Sequence, residues 1–179
     1  ELTARGHYVR VIAPRPRRMP ADAATDVILL GGSVELNTFA TKADVGMSIS
    51  NEKIDAMLAE QKFDVLHFHE PGMPVLGMQL IARSHVAHVA TMHATLPDGM
   101  VTKSYQKLML PVAKYMETRT HVITAVSAVA EETAHVYAPN AAMRIVPNGI
   151  NISDYAPKKK VNVQHKRKKI VYVGRLEKR

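Results

Sequence analysis

The chain has 179 residues, 46% of them apolar, with ten Met, no Cys and a formal net charge of +8. That length and apolar share suit one ordinary globular domain with an aliphatic core plus an appendage. The missing cysteines exclude disulfides and thiolate metal sites and suit a cytosolic chain, and no apolar run nears the roughly 18 residues that span a bilayer.

The charge is local. Residues 158–169 hold seven Lys or Arg and no acid, so subtracting seven from 24 leaves 17 basic residues against 16 acidic ones elsewhere. A near-neutral folded part argues against a nucleic-acid-binding face, which spreads charge over folded surface. The basic run reads as a solvated linker, able to contact an anionic membrane at about 1 kcal/mol per basic residue. No signal-peptide pattern is present.

In chain order, Glu1-Leu2-Thr3-Ala4-Arg5 reads as the end of a helix with Gly6 as its cap. Residues 8–13 form a β-rich run stopped by Pro14 and Pro16, and Val27-Ile28-Leu29-Leu30 forms another that ends at Gly31-Gly32-Ser33. Residues 34–39 read as a short strand or an irregular loop. Ser50 is placed to cap a helix with Glu52 in its first turn and Ile54, Met57 and Leu58 on one face. That helix carries Glu52, Asp55 and Glu60 against Lys53, a poor match for an anionic surface.

Residues 63–69 form a short buried strand stopped by Pro71 and Pro74, and residues 75–84 an apolar, covered helix. The pattern repeats: strand 86–92, loop 96–99, then helix 104–117 with Tyr105, Leu108, Met109, Val112 and Met116 at helical spacing and a kink at Pro111. Strand 121–125, a helix capped by Ser127 and running to Tyr137, and strand 143–146 complete the series. Strands alternating with helices predict a parallel, doubly wound α/β sheet.

In such sheets ligands bind beyond the carboxyl ends of the strands. The polar residues there are His69, Glu70, His93, Thr95, Ser127, Asn148 and Gly149, which are therefore expected to line one rim. His67 and His69 lie two apart on a strand and share a face, but a metal would need further ligands around them. His67 reads instead as a hydrogen-bonded interior residue. Glu70, fixed by Pro71 at a strand exit, can grip hydroxyl groups or sit at the start of the next helix. His93 can present one ring nitrogen outward while the protein holds the other. Pro147-Asn148-Gly149 is a turn signal, and Arg175 after Gly174 offers a planar fork suited to phosphate. A Gly-x-Gly-x-x-Gly phosphate loop is absent.

Taken together, the order and spacing of these pieces resemble the retaining glycosyltransferases of family 4, which have the two-domain GT-B architecture. The pieces are Ala4-Arg5-Gly6-His7, the run from Phe63 to Pro71, Thr91-Met92-His93-Ala94-Thr95, Ala125-Val126-Ser127, Val146-Pro147-Asn148-Gly149 and Val173-Gly174-Arg175-Leu176. The pattern looks most like the phosphatidylinositol mannosyltransferase branch. The resemblance implies a Rossmann-like acceptor-side domain over 1–149, a basic linker over 150–168 and the first strand of a donor-binding domain over 169–179. It implies transfer of a sugar from a nucleotide-diphosphate donor to a lipid or other hydroxyl acceptor, with Mg2+ as an admissible companion and no tightly bound cofactor. It gives His93 as the active-site histidine on the donor sugar and Arg175 as the cation on the donor diphosphate.

The same resemblance places a first strand and glycine-rich loop before Glu1 and a partner lysine beyond Arg179. It makes the protein cytoplasmic, peripheral at the inner face of the membrane. A GT-B-like nucleotide-sugar epimerase shares the architecture with different chemistry. A basic module binding anionic membrane or nucleic acid through residues 158–169 is the reading from another class.

Overall fold

The computed structural model describes residues 1–16, 26–38, 41–47, 50–70, 75–93, 99–155 and 170. The chain divides into two compact units, Glu1–Pro147 and Asn148–Arg179. Thr95, Arg175, the basic run 158–169 and the strand expected from residue 169 lie outside the described residues.

The first unit opens with a 3₁₀ turn over Thr3–Arg5, closed by Gly6 at φ 87°. A side chain there would be strained, so the predicted cap residue is the one the turn requires. β1 (Val11–Ala13) and β2 (Val27–Leu29) pair in parallel. β3 (Gly32–Thr38) and β4 (Thr41–Met47) then form an antiparallel hairpin. The strand or loop expected over 34–39 is the first arm of this hairpin as far as Thr38. Gly46 on the second arm is buried, and a Cβ built there would meet the Pro14 Cβ at 3.0 Å and the Leu76 Cβ at 3.4 Å. Only glycine lets the hairpin lie this close to its neighbours.

From residue 50 the chain alternates. α1 (Asn51–Gln61), β5 (Val65–His69), α2 (Val75–Arg83), β6 (Ala87–Met92), α3 (Met100–Arg119), β7 (Val122–Ala125), α4 (Ala128–Tyr137) and β8 (Met143–Ile145) follow in order. β5, β6, β7 and β8 form one parallel sheet in chain order. This is a Rossmann-like α/β unit, as the alternation predicts. Right-handed crossovers between strands in sequential order put α2, α3 and α4 on one face of the sheet. The contacts agree, since α2 packs on α3 and α3 on α4.

That face holds the core. Leu66 and Phe68 of β5 pack with Ile54 and Met57 of α1, Leu76, Leu80 and Ile81 of α2, and Met116 of α3; Ile12 and Ile28 pack against the same cluster. On the other face of β5 Val65, His67 and His69 are exposed among the described residues, alternating with buried Leu66 and Phe68. His67 is thus hydrogen-bonded as expected but not interior, because its β-strand alternation turns it away from the helices. Of the residues at helical spacing in α3, Leu108 is 75% exposed, whereas Met116 is buried. Among the described residues no helix is long and apolar enough to cross a membrane.

The caps are mixed. Ser127 accepts a bond from the Ala130 amide at 3.2 Å, as an N-cap should. Ser50 occupies the N-cap of α1 without a side-chain bond, and its carbonyl instead accepts from the Lys53 amide.

His88, 1% exposed on β6, is a satisfied core histidine. Its Nδ1–H donates to the Arg119 carbonyl at 2.8 Å, and its Nε2 accepts from the Ser84 hydroxyl. The Arg119 Nη2 in turn donates to the Ile81 and Ser84 carbonyls at 3.3 and 3.0 Å, closing the end of α2. Burial holds the His88 pKa below the ordinary 6.5, opposed by the bond to the Arg119 carbonyl and aided by the charge of Arg119. Below pH 6.5 the unfolded chain therefore gains a proton that the folded chain resists, and stability falls as pH falls through that range. The limiting slope is about 1.4 kcal/mol per pH unit for one group. Urea midpoints at pH 7.5, 6.5 and 5.5 are expected to decline, and His88→Gln, which lacks the titrating ring, to decline less.

Among the described residues of the second unit is a short helix, α5 (Ile152–Tyr155). Asn151 caps it: its side-chain oxygen accepts from the Ser153 amide at 3.3 Å and hydroxyl at 2.8 Å.

Candidate functional site

β5, β6 and β7 are parallel and in register, His69 opposite Thr91 and Met92 opposite Ala125, so their carboxyl ends share one edge of the sheet. The residue leaving β5 is Glu70 and the residue leaving β6 is His93. The main chain carries the ladder past these ends. The Glu70 amide donates to the Thr91 carbonyl at 3.0 Å, and the Val126 amide to the Met92 carbonyl at 3.1 Å.

Three of the rim residues named by the sequence touch one another. His69 Nδ1 lies 2.7 Å from His93 Nε2, with ring centroids 5.0 Å apart. The Glu70 carboxylate accepts from the His93 amide. Glu70 itself has φ 49°, a left-handed backbone that non-glycine residues adopt only where surroundings impose it. Glu70 therefore ties two strand exits together.

Behind this trio stands a second line that sequence reasoning missed. His67 stacks on His69 with centroids 4.6 Å apart and rings inclined by 22°. Its Nε2 lies 2.7 Å from the Thr91 Oγ1, which lies 2.8 Å from the Thr124 Oγ1, and the Thr124 hydroxyl donates to the Ala90 carbonyl at 3.3 Å. Thr91 is 7% exposed, so this chain anchors the ring stack in the sheet. The available signal was register: His67, Thr91 and Thr124 lie on one face of adjacent strands.

The electrostatics are those of neutral imidazoles. Burial, then the charges of His69 and His93, push the His67 pKa below 6.5. Burial and the charge of His93 do the same to His69, with the Glu70 carboxylate opposing them. Near neutral pH these two rings offer hydrogen-bonding nitrogens rather than fixed positive charge.

The remaining candidates are separate. Ser127 follows the exit of β7, but its hydroxyl is engaged as the cap of α4. Asn148 and Gly149 belong to the second unit. Among the described residues no group of three or more His, Asp or Glu is placed to hold a metal ion. A cavity of about 220 Å³ lies at the opposite end of the strands, lined by Ser84, His85, Val86, His88, Thr118, Arg119 and His121. Its Arg119 guanidinium is bonded to the carbonyls at the end of α2.

Comparison with known proteins comes down on one family. The profile of Glycosyltransferase Family 4 matches residues 1–154. A phosphatidyl-myo-inositol mannosyltransferase of Mycobacterium tuberculosis is 27% identical over 180 residues, covering 98% of this chain and 45% of the relative. The enzymes of that name from Mycolicibacterium smegmatis and Propionibacterium freudenreichii are 28% and 26% identical, covering 84% and 86% of this chain and 38% and 41% of the relatives. The chain thus spans less than half the length of the curated relatives it matches.

Proposed function

This chain belongs to glycosyltransferase family 4, and from that membership we propose that it forms the acceptor-side wall of a retaining hexosyltransferase. The enzyme moves a sugar, mannose foremost, from a nucleotide-diphosphate donor to a hydroxyl of a lipid or glycan. The observation that carries this reading is the His69–His93 pair at adjacent strand exits, with Glu70 bonded to the His93 main chain. Open α/β sheets bind ligands at that edge.

In this reading His93 contacts the donor sugar and Arg175 the donor diphosphate. As the glycosidic bond breaks, negative charge grows on the leaving diphosphate, and a cation fixed beside it lowers the barrier. His69, Glu70, Thr95 and Ser127 line the acceptor side. Among the described residues no group of three or more His, Asp or Glu is placed to hold Mg2+. The domain plan behind this division is the acceptor-side domain over 1–149, the linker over 150–168 and a donor-side strand from 169.

The isolated chain, given labelled GDP-mannose and phosphatidylinositol, is expected to transfer no sugar, because in this reading most of the donor site belongs to the donor-side domain and only His93 and Arg175 are supplied here. Robust transfer by the chain alone would overturn that division. Residues 158–169, with seven basic groups and no acid, support peripheral contact with an anionic membrane at the cytoplasmic face. Co-sedimentation with vesicles rich in phosphatidylinositol is expected at low salt and to be lost in high salt. Equal retention in both would remove the electrostatic contact.

A further inference from the structure

Resting on the reading of His93 as the donor-facing histidine, we propose that His69 and Glu70, beyond their place on the rim, are positioning residues for His93. Glu70 pins its main chain, and His69 holds its ring and selects which nitrogen carries the proton. Two independent contacts meet on one residue. The His93 amide donates to the Glu70 carboxylate, and the His93 Nε2 shares a 2.7 Å contact with the His69 Nδ1.

Each support is itself fixed. Glu70 is held in a left-handed turn by its amide bond to the Thr91 carbonyl, so its carboxylate is presented from β5 to the exit of β6. His69 is backed by His67, and His67 by the Thr91 and Thr124 hydroxyls. A consistent set of donors runs along that line. With Thr124 donating to the Ala90 carbonyl, Thr91 donates to Thr124 and His67 Nε2–H donates to Thr91. The His67 ring then stands in one orientation behind His69.

The His69–His93 contact has room for one proton. In the neutral pair one ring donates and the other accepts; with both rings protonated two N–H groups oppose each other and the contact opens. Holding one tautomer leaves the outward His93 Nδ1 with a single role, either donor or acceptor, toward a sugar hydroxyl. The groups facing His69 are His67, His93 and Glu70. Burial and the charge of His93 disfavour protonation of His69, so the single-proton pair persists below the ordinary histidine range.

The test is long-range proton–nitrogen NMR of the imidazoles in this chain, without substrate. At pH 7.5 wild-type His93 is expected as one tautomer, with its amide proton shifted downfield by the Glu70 bond. His69→Ala is expected to give a mixture of His93 tautomers, and His69→Gln, which keeps a hydrogen-bonding group near the ring, to restore a single form. Glu70→Ala is expected to move the His93 amide upfield, and Glu70→Gln, which keeps an acceptor, to restore most of the shift. The same tautomer mixture in wild type and His69→Ala, or an unmoved amide in Glu70→Ala, would overturn the proposal. Because no substrate is present, that failure would leave the donor-facing reading of His93 standing. Conversely, an absence of any His93 shift on titration of the chain fused to the donor-side portion of a relative with GDP-mannose would remove that reading and leave the positioning contacts intact.

Discussion

Ile81→Ala will lower the unfolding free energy by about 2–5 kcal/mol, while Leu108→Ala will change it by no more than about 0.5 kcal/mol. Both are aliphatic residues of helices in an apolar pattern, and they differ in what surrounds them. Ile81 is fully buried, and it packs in the cluster that joins α2 to Leu66 and Phe68 of β5 and to Ile54 of α1. Truncation there removes buried methyl groups and leaves a cavity that the surrounding helices close only in part. Leu108 is 75% exposed on α3, so its truncation removes little buried area. Urea unfolding gives the answer through the midpoint, with the slope unchanged in both variants. Equal costs for the two would mean that α2 is not the helix seated on β5.

The second large effect concerns chemistry. His93→Ala is expected to lower the turnover of sugar transfer about 10²–10³-fold, the loss typical of removing one preorganised group from a reacting centre. The assay uses this chain fused to the donor-side portion of one of its relatives. The KM for the acceptor is expected to change far less, because in the proposed role the interaction belongs to the reacting sugar and strengthens in the transition state. His67→Ala is the internal comparison. It removes a ring from the same face but leaves the His93 contacts with His69 and Glu70 in place. Its effect is expected to be smaller by at least about an order of magnitude. Equal losses in both variants would assign the effect to the stack and not to His93.

Residues 50–147 were the readable part of the sequence. Short apolar strands alternating with capped helices announce a parallel sheet, and Ile54, Met57, Leu66 and Phe68 fall in the core where the periodicities put them. The hairpin was hidden because its second arm, Thr-Lys-Ala-Asp-Val-Gly-Met, has no strong apolar alternation. Its pairing is a main-chain ladder that any sequence tolerating extension can make. His67 was misplaced to the interior for a related reason. An apolar run does not reveal which face of its strand the helices cover, and β5 exposes every second residue. Leu108 shows the converse, since helical spacing marks a face without showing whether anything lies against it.

The candidate site was legible as a set of residues and not as a set of contacts. Strand exits named His69, Glu70 and His93, but a bond across 24 residues depends on lateral register, which each strand taken alone does not encode. Counting back from the strand ends would have placed the two histidines beside each other. The reading of Glu70 as either a hydroxyl-gripping group or the start of a helix missed the third option, a carboxylate bonded to the next strand exit.

The most direct measurement is amide and imidazole NMR of this chain during titration with GDP-mannose and, separately, glycerophosphoinositol at millimolar concentration. The predicted result is a set of shifts centred on His69, Glu70, His93 and Ser127, at the carboxyl ends of β5, β6 and β7. Shifts centred on His85, His88 and His121 at the opposite end of those strands, or no shift at the rim from either ligand, would contradict it.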